Sequence, residues 1–592
     1  MKPHQVEGIK FLWRNVVENV NRANRGKGDG CILAHCMGLG KTLQVIAFLH
    51  TVLHSPHLPK LRTALVVCPL GTVLNWCKEI DMWTRKSDQP IAIYNLSETK
   101  SFHERATMLK MNKHKSLNPV CKWHKKGGVM MTGYKMFLLM SSSKKGKYKR
   151  YNHLFAEHML QPGPDIVVCD EGHIIKNEAT SLCTVMSSIK TRRRVVLTGT
   201  PLQNNLMEYY CMVNFIKPRL LGSAKEFNNR FTHPISNGQH VDSTEKDVKL
   251  MKKRSHVLHE LLAGCVQRKD IDCLREQLMP KYEYVLRVRL TPLQRYLSTF
   301  KCSDISNRKG CLFQDFKNLL LVVCHPKVLV LDKLRREQQR VSLLNEDDES
   351  SEIGSEEEID PPSPDELLRL PTMSVQELKK LIISKGGSVQ HIREKEDLVS
   401  CAKLLLTKSA DTGPDELWYE KVMPSDSNLI DSVEMSGKVT LLLRILKHSA
   451  QVGDKVVVFS QSLLTLDLIE DVLRNVTMKE NDTIWVDDID YCRIDGSVKQ
   501  NSRKNCIDQF NTHVDVRCRL MLVSTRAGGI GINLIGANRA IVFDASWNPT
   551  HDVQSIFRIY RFGQSKPCFV YRFIAQGTME EKIYDRQVGW MG

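Results

Sequence analysis

Apolar residues along the chain fall into short unbroken runs. In the first third these are CILA (31–34), TALVVCP (63–69), GGVMMTGY (127–134), DIVVCD (165–170) and RRVVLTG (193–199). Stretches of helical period separate them, such as TLQVIAFLHTVL after the first run and TSLCTVMSSI after the fourth. Continuous apolar runs alternating with helices predict parallel strands buried on both faces. The pattern breaks down between 300 and 430. It returns in KVVVFSQ (455–461), YCRIDG (491–496), RLMLVST (519–525), RAIVFDA (539–545) and CFVYRFIA (568–575). The expected architecture is therefore α/β: two parallel-sheet units joined through a different middle. At 592 residues the chain is too long for one hydrophobic core.

The expected boundaries are a first α/β unit over 1–225, a helical protrusion and linker over 226–340, an acidic insert over 341–372, a helical hairpin over 373–407, and a second α/β unit over 430–592. Residues 346–366 carry 11 acidic residues and no basic one, a composition that cannot bury enough apolar surface to fold. In the following stretch Ser374 and Glu377 form a capping box and Gly386-Gly387 closes the helix it opens. With Lys379, Lys380, Lys385 and Arg393 exposed, this hairpin resembles a SAP-like DNA-binding module; a plain hairpin packed on a lobe reads equally well. The basic insert SSSKKGKYKRYNH (141–153) reads as a surface loop that either touches phosphates or is merely solvated.

Net charge is +19, and without the acidic tract the remainder carries +30, which points to a polyanionic partner. No run of about 18 apolar residues occurs, so no membrane span is expected. The first residues lack a signal peptide's apolar core, which favours the cytosol or nucleus. The 18 cysteines include no CxxC pair, and CKWH (121–124) has no second ligand pair nearby, so no zinc site is expected.

Candidate chemistry begins at HCMGLGKT (35–42), between a strand and a helix. Gly38 and Gly40 let the backbone curl around a phosphate, Lys41 reaches the terminal phosphates, and the Thr42 hydroxyl suits Mg²⁺. His35 stands where the strict motif has its first glycine. In DIVVCDEGHIIKN (165–177) a strand ends in two carboxylates, Asp170 and Glu171. Either they lie at the wet rim of the sheet or a cation is brought to them. With a nucleotide loop upstream the cation is Mg²⁺ carried by ATP: Asp170 holds the metal and Glu171 orients and deprotonates the attacking water. A strand neighbouring the first is expected to deliver this pair. In the second unit Gln554, Arg558 and Arg561 are spaced by four and three, predicting one face of a helix. Those arginines would stabilise charge at the γ-phosphate once the units close on one another.

The segments KPHQVEGIKFLW, MGLGKT, LVVCPLGTVLNW, MTGYKM, DEGHIIKN, LTGTPLQNN, VVVFSQS, RIDGS, STRAGGIGINL and QSIFRIYRFGQ, in this order, resemble the Swi/Snf-type branch of superfamily-two helicase-like ATPases. They cover most of 1–340 and 435–590. The resemblance implies two RecA-like lobes and an ATPase that moves on double-stranded DNA, with nucleosomes, histones and histone chaperones as partners and the nucleus as its place. His35-Cys36 replaces the acidic pair of most relatives, a departure shared with one chromatin-remodelling subfamily. It further implies that Gln5 reads adenine, His173 couples hydrolysis to motion, and Thr198, Gly199 and Thr200 link the ATP site to DNA. Ser524 and Thr525 would do the same in lobe 2; with Arg526 they precede a Gly-rich turn, where Gly531 would approach the nucleotide. Relatives continue on both sides of this chain, so an incomplete product is expected. Two other readings are a recombination-repair translocase of the same branch and a DNA-binding scaffold that has lost turnover.

Overall fold

The computed structural model describes residues 1–96, 119–142, 152–199 (except 176, 178 and 179), 206–348 (except 241, 275–276 and 308–311) and 430–591 (except 476–484, 499, 513–516 and 526–531), with isolated positions between 373 and 423. Most of the acidic tract, the 373–407 hairpin and most of the basic insert lie outside the described residues, as do Thr200, Arg526 and Gly531.

The first sheet holds β1 (Cys31–His35), β2 (Thr63–Cys68), β3 (Ile93–Asn95), β4 (Gly128–Gly133), β5 (Ile166–Cys169), β6 (Arg194–Leu197) and β7 (Val266–Lys269). Their spatial order is β3-β4-β2-β5-β6-β1-β7, and every pairing is parallel. Successive residues of one strand enter opposite cores. Ile32 and Ala34 join the cluster that contains Val167, Cys169 and Val196. Cys31 and Leu33 join the one that contains Ile166, Val168 and Val195. Both faces are dry, which is why these strands read as unbroken apolar runs.

The second sheet holds β8 (Lys281–Val288), β9 (Val456–Ser460), β10 (Tyr491–Ile494), β11 (Leu520–Ser524), β12 (Arg539–Val542) and β13 (Cys568–Ala575). Its order is β10-β11-β9-β12-β13-β8, again all parallel. Val456 and Val458 face one core and Val457 and Phe459 the other. A Lys438–Glu580 ion pair at 2.7 Å, fully buried, ties the helix Gly437–Val452 to the C-terminal helix; Lys438 also donates to the Phe543 carbonyl at 2.8 Å. All ten strands expected from apolar runs are present.

Three strands were not expected. β7 and β8 lie inside the stretch read as a helical protrusion and linker, and each is the edge strand of a different sheet. The chain therefore passes from one lobe to the other between Lys269 and Lys281. β8 is mostly exposed and β7 only partly buried, so neither carries an apolar run. β3 is three residues long. No helix among the described residues is long and apolar enough to cross a membrane.

Candidate active site

A parallel α/β sheet presents loops and helix N-termini at the carboxyl ends of its strands, and the site gathers there. After β1, Gly38 and Gly40 take left-handed backbone angles, φ 86° and 74°, and the helix Lys41–Leu53 begins with Gly40 as its N-cap. Gln5, in the helix Pro3–Val16, lies over this loop: a Cβ added to Gly40 would sit 2.6 Å from its Nε2. Lys41 is half-buried, and its Nζ donates to the carbonyls of His35 at 2.7 Å and Cys36 at 3.4 Å. Burial pulls its pKa down, against the pull of Glu171 and Asp170 in the other direction. Thr42 follows as the second residue of the helix and is half-buried.

His35 is buried. Its Nε2 lies 3.2 Å from Gln267 Oε1 on β7, and its Nδ1 lies 3.4 Å from the Gln44 amide. Burial and the neighbouring Lys41 charge depress its pKa to about 4, so the ring is neutral at physiological pH. Gln44 also donates to the Leu39 carbonyl at 3.1 Å. His35 thereby connects β7, β1 and the loop, and neither Gln44 nor Gln267 was singled out from sequence.

β5 ends at the carboxylates. The order β5-β6-β1 puts β6 between it and β1, so the expectation of a directly neighbouring strand is corrected: the pair comes from the next strand but one. The intervening β6 ends in Thr198, which donates its N–H to Leu33 O at 3.2 Å, and Gly199, where an added Cβ would lie 3.8 Å from Lys41 Nζ. Asp170 is held by Trp76 Nε1 at 2.8 Å and by the Glu171 N–H at 3.0 Å. The Tyr134 hydroxyl donates to its carbonyl at 2.7 Å. Trp76 and Tyr134 lie in the matched segments LNW and TGY, but their partner is a long-range contact that spacing does not reveal. Burial, then the adjacent Glu171, raises the Asp170 pKa to about 6 despite Trp76 and Lys41. Glu171 adopts φ 51°, and burial raises it too, opposed by Lys41 and Arg558. Its Oε2 is buried without a hydrogen bond; His173 Nδ1 is 3.4 Å away but not aligned for one.

The second lobe supplies cations. Arg558 is buried, and burial lowers its pKa to about 10 against the attraction of Glu171 and Asp170. Arg561 packs on the glycine loop, its Cβ 3.6 Å from a Cβ built on Gly38, and is coupled to Glu79 on the helix Leu70–Thr84. Nearby, Lys2 Nζ stacks 4.0 Å from the Phe562 ring centre. The shared helical face is corrected, however. Gln554 lies buried in the helix Pro549–Ile556, which stops before the arginines. There the N–H of Arg558 bonds to Ser555 O and that of Ile559 to Ile556 O, tightening the chain into turns. Ser524 and Thr525, at the end of β11, are buried within lobe 2. Thr525 Oγ1 donates to Ser460 O at 3.2 Å, and Ser460 Oγ donates to Asp544 at 2.5 Å. These contacts bring neither residue to the carboxylates.

Two sheets of this strand order, with a glycine loop, a lysine and a carboxylate pair on one and arginines from the other reaching them, define a helicase-like ATPase with two RecA-like lobes. The chain belongs to the SNF2-related family of DNA-dependent ATPases: it matches the SNF2-related domain over residues 4–327 and the helicase conserved C-terminal domain over residues 437–563. Transcriptional regulator ATRX of Homo sapiens is 44% identical over 99% of this chain, which spans 25% of that protein. Helicase ARIP4 of Homo sapiens is 39% identical over all of this chain, which spans 42% of that protein. The Sulfolobus solfataricus SWI2/SNF2 ATPase core in complex with dsDNA is 22% identical, covering 100% of this chain and 91% of that one, with a TM-score of 0.36. The chain thus spans about a quarter of the length of the ATRX relative it matches.

Proposed function

We propose that the chain is the motor of a chromatin remodeller, hydrolysing Mg-ATP between its lobes to move along double-stranded DNA. One observation carries this reading: Arg558 of lobe 2 lies in electrostatic reach of Glu171, Asp170 and Lys41 of lobe 1. The residues fit the nucleotide and metal. Two half-buried carboxylates, one with a buried oxygen lacking a hydrogen bond, lie in electrostatic reach of half-buried Lys41 at the left-handed glycine loop.

In this reading Lys41, Gly38 and Gly40 bind the phosphates, Thr42 and Asp170 would hold Mg²⁺, Gln5 orients adenine, and Gln554 and Gly531 are the nucleotide-binding residues assigned to lobe 2. Bound Mg²⁺ supplies positive charge against the phosphate oxygens. Glu171 accepts a proton from water held at its Oε2, and the burial that raises its pKa strengthens it as a base. Arg558 and Arg561 offset charge developing on the transferred phosphoryl group. His173, 3.4 Å from Glu171, relays the state of the site, with Thr198, Gly199, Thr200, Ser524 and Thr525 carrying it to DNA. The basic excess of the chain supports a duplex backbone as the track, which makes affinity salt-dependent and poorly sequence-specific. The similarity to proteins named as a transcriptional regulator and as a chromatin-remodelling protein supports chromatin as the setting and nuclear residence; nucleosomes, histones and histone chaperones are the partners the family resemblance implies.

The test is ATP hydrolysis with and without duplex DNA, for the parent and for Glu171→Gln. Duplex stimulates the parent, while the variant binds ATP and does not turn over. Equal rates in both would remove the motor reading. Further stimulation by nucleosomes separates remodelling from repair translocation on naked DNA.

A further inference from the structure

A cluster of thiols lies at one edge of the second sheet. β10 is the edge strand of the second sheet, and Cys492 points from it into the core shared with Cys518, just before β11. The two sulfurs are 3.6 Å apart. Cys506, on the helix Gln500–Asn511, packs against the same core, and its sulfur is 4.0 Å from Asp488 Oδ1. One donor atom each from Asp488, Cys492 and Cys506 lies within 4.8 Å of the others. Two sulfurs and a carboxylate thus converge, with a third sulfur, that of Cys518, in contact with Cys492.

We propose that Asp488, Cys492, Cys506 and Cys518 form a structural site for a thiophilic divalent cation, zinc by preference. Thiolate–zinc bonds of about 2.3 Å in a tetrahedron put sulfurs about 3.8 Å apart, close to the Cys492–Cys518 separation. A disulfide would need the sulfurs at about 2.05 Å. The donor set is that of a closed structural centre, soft sulfur with one oxygen, which disfavours magnesium or calcium. Asp488 is exposed and Cys506 half-buried, which gives the ion a way in from solvent, while Cys492 is buried. Cys518 lies outside the tight group of three and turns inward to take the fourth position. Binding releases three thiol protons to solvent, so affinity rises with pH. The centre would pin β10, the following helix and the entry to β11 against one another. The segment between Cys492 and Cys506 contains RIDGS (493–497), whose Arg493 is paired with Asp467, Glu470 and Asp495.

The test uses the whole chain, purified under reducing conditions without nickel chromatography and desalted. Elemental analysis is expected to find about one zinc per chain. Added Co²⁺ then gives thiolate-to-metal charge-transfer absorption and tetrahedral ligand-field bands. The double variant Asp488→Asn/Cys506→Ser changes only the two more accessible ligands. It loses the metal and the zinc-dependent rise in Tm, while its circular dichroism and ATPase rate stay at the parent's values. Cys518→Ala is a second probe, expected to weaken the charge-transfer band. The same zinc content in the double variant would overturn the proposal, because the metal would then sit on other thiols, such as exposed Cys273. A metal-free parent whose Tm ignores added zinc, or a Cys492–Cys518 disulfide in freshly isolated protein, would overturn it as well.

Discussion

Asp170 shows what a nucleotide site costs the protein that holds it. Burial and the neighbouring Glu171 raise its pKa to about 6, so the ionised carboxylate is less stable in the folded chain than in water. The sign follows directly. A raised pKa means that the folded state holds the proton more tightly, so this residue favours folding most below its unfolded value near 4. That contribution is lost as pH rises through about 6. We expect Asp170→Asn to raise the Tm of the nucleotide-free protein by a few degrees at pH 8 and by less at pH 5.5, as measured by calorimetry across that range. The same variant is expected to lose Mg²⁺-dependent hydrolysis. A Tm gain that does not grow with pH would show that the carboxylate's charge is already neutralised in the fold. The thiols of lobe 2 mark the limit of reading residues from sequence. Cys492, Cys506 and Cys518 follow no ligand spacing; the pairing of β10 with β11 and the packing of the helix Gln500–Asn511 on β10 bring them together.

Among the elements, the turn from β1 into its helix rests on a backbone conformation that side chains resist. Gly40 has φ 74°, and a Cβ there would sit 2.6 Å from Gln5 Nε2. Left-handed geometry costs an alanine about 1–2 kcal/mol, and Gln5 would have to swing away. Gly40→Ala is therefore expected to raise KM for ATP about tenfold and to narrow the preference for ATP over GTP, with kcat less affected. Steady-state kinetics with both nucleotides checks it, and an unchanged preference would detach Gln5 from adenine. This turn was legible because glycine, lysine and threonine follow a strand in a fixed order. The ten double-buried strands were legible because both faces need apolar side chains. β7 and β8 were not, since VQRK and KYEYVLRV sit at sheet edges and leave much of their surface to solvent. Stacking of Tyr282 on Phe569 and of Tyr284 on Tyr571 helps hold β8 in place, and such cross-strand contacts leave no local pattern. The end of the helix at Ile556 was hidden for a similar reason. The spacing of Gln554, Arg558 and Arg561 is compatible with a helix, whereas the chain tightens into turns after Ser555.

At the scale of the whole molecule the two lobes meet through charge. Arg558 is drawn by Glu171 and Asp170, and Arg561 by Glu79; beside them Lys2 lies over Phe562. Burying a guanidinium is costly unless carboxylates accompany it, and here the carboxylates are those of the proposed catalytic pair. The same electrostatic attraction would then serve closure and chemistry. Removing Arg558 leaves two half-buried carboxylates with Lys41 as their neighbouring cation among the described residues, which favours admitting water between the lobes. Arg558→Ala is expected to increase the radius of gyration of the nucleotide-free chain and to lower DNA-stimulated turnover by about 10³-fold. ATP affinity should change far less, because the glycine loop and Lys41 belong to lobe 1 alone. Small-angle X-ray scattering, nucleotide titration and hydrolysis rates on the same preparation separate these effects. A variant that stays as compact as the parent but loses turnover would assign Arg558 to chemistry and leave closure to Arg561 and Lys2. One that opens yet still hydrolyses ATP at the parent's rate would exclude Arg558 from the reaction, and with it the proposal that hydrolysis occurs in the seam between the lobes.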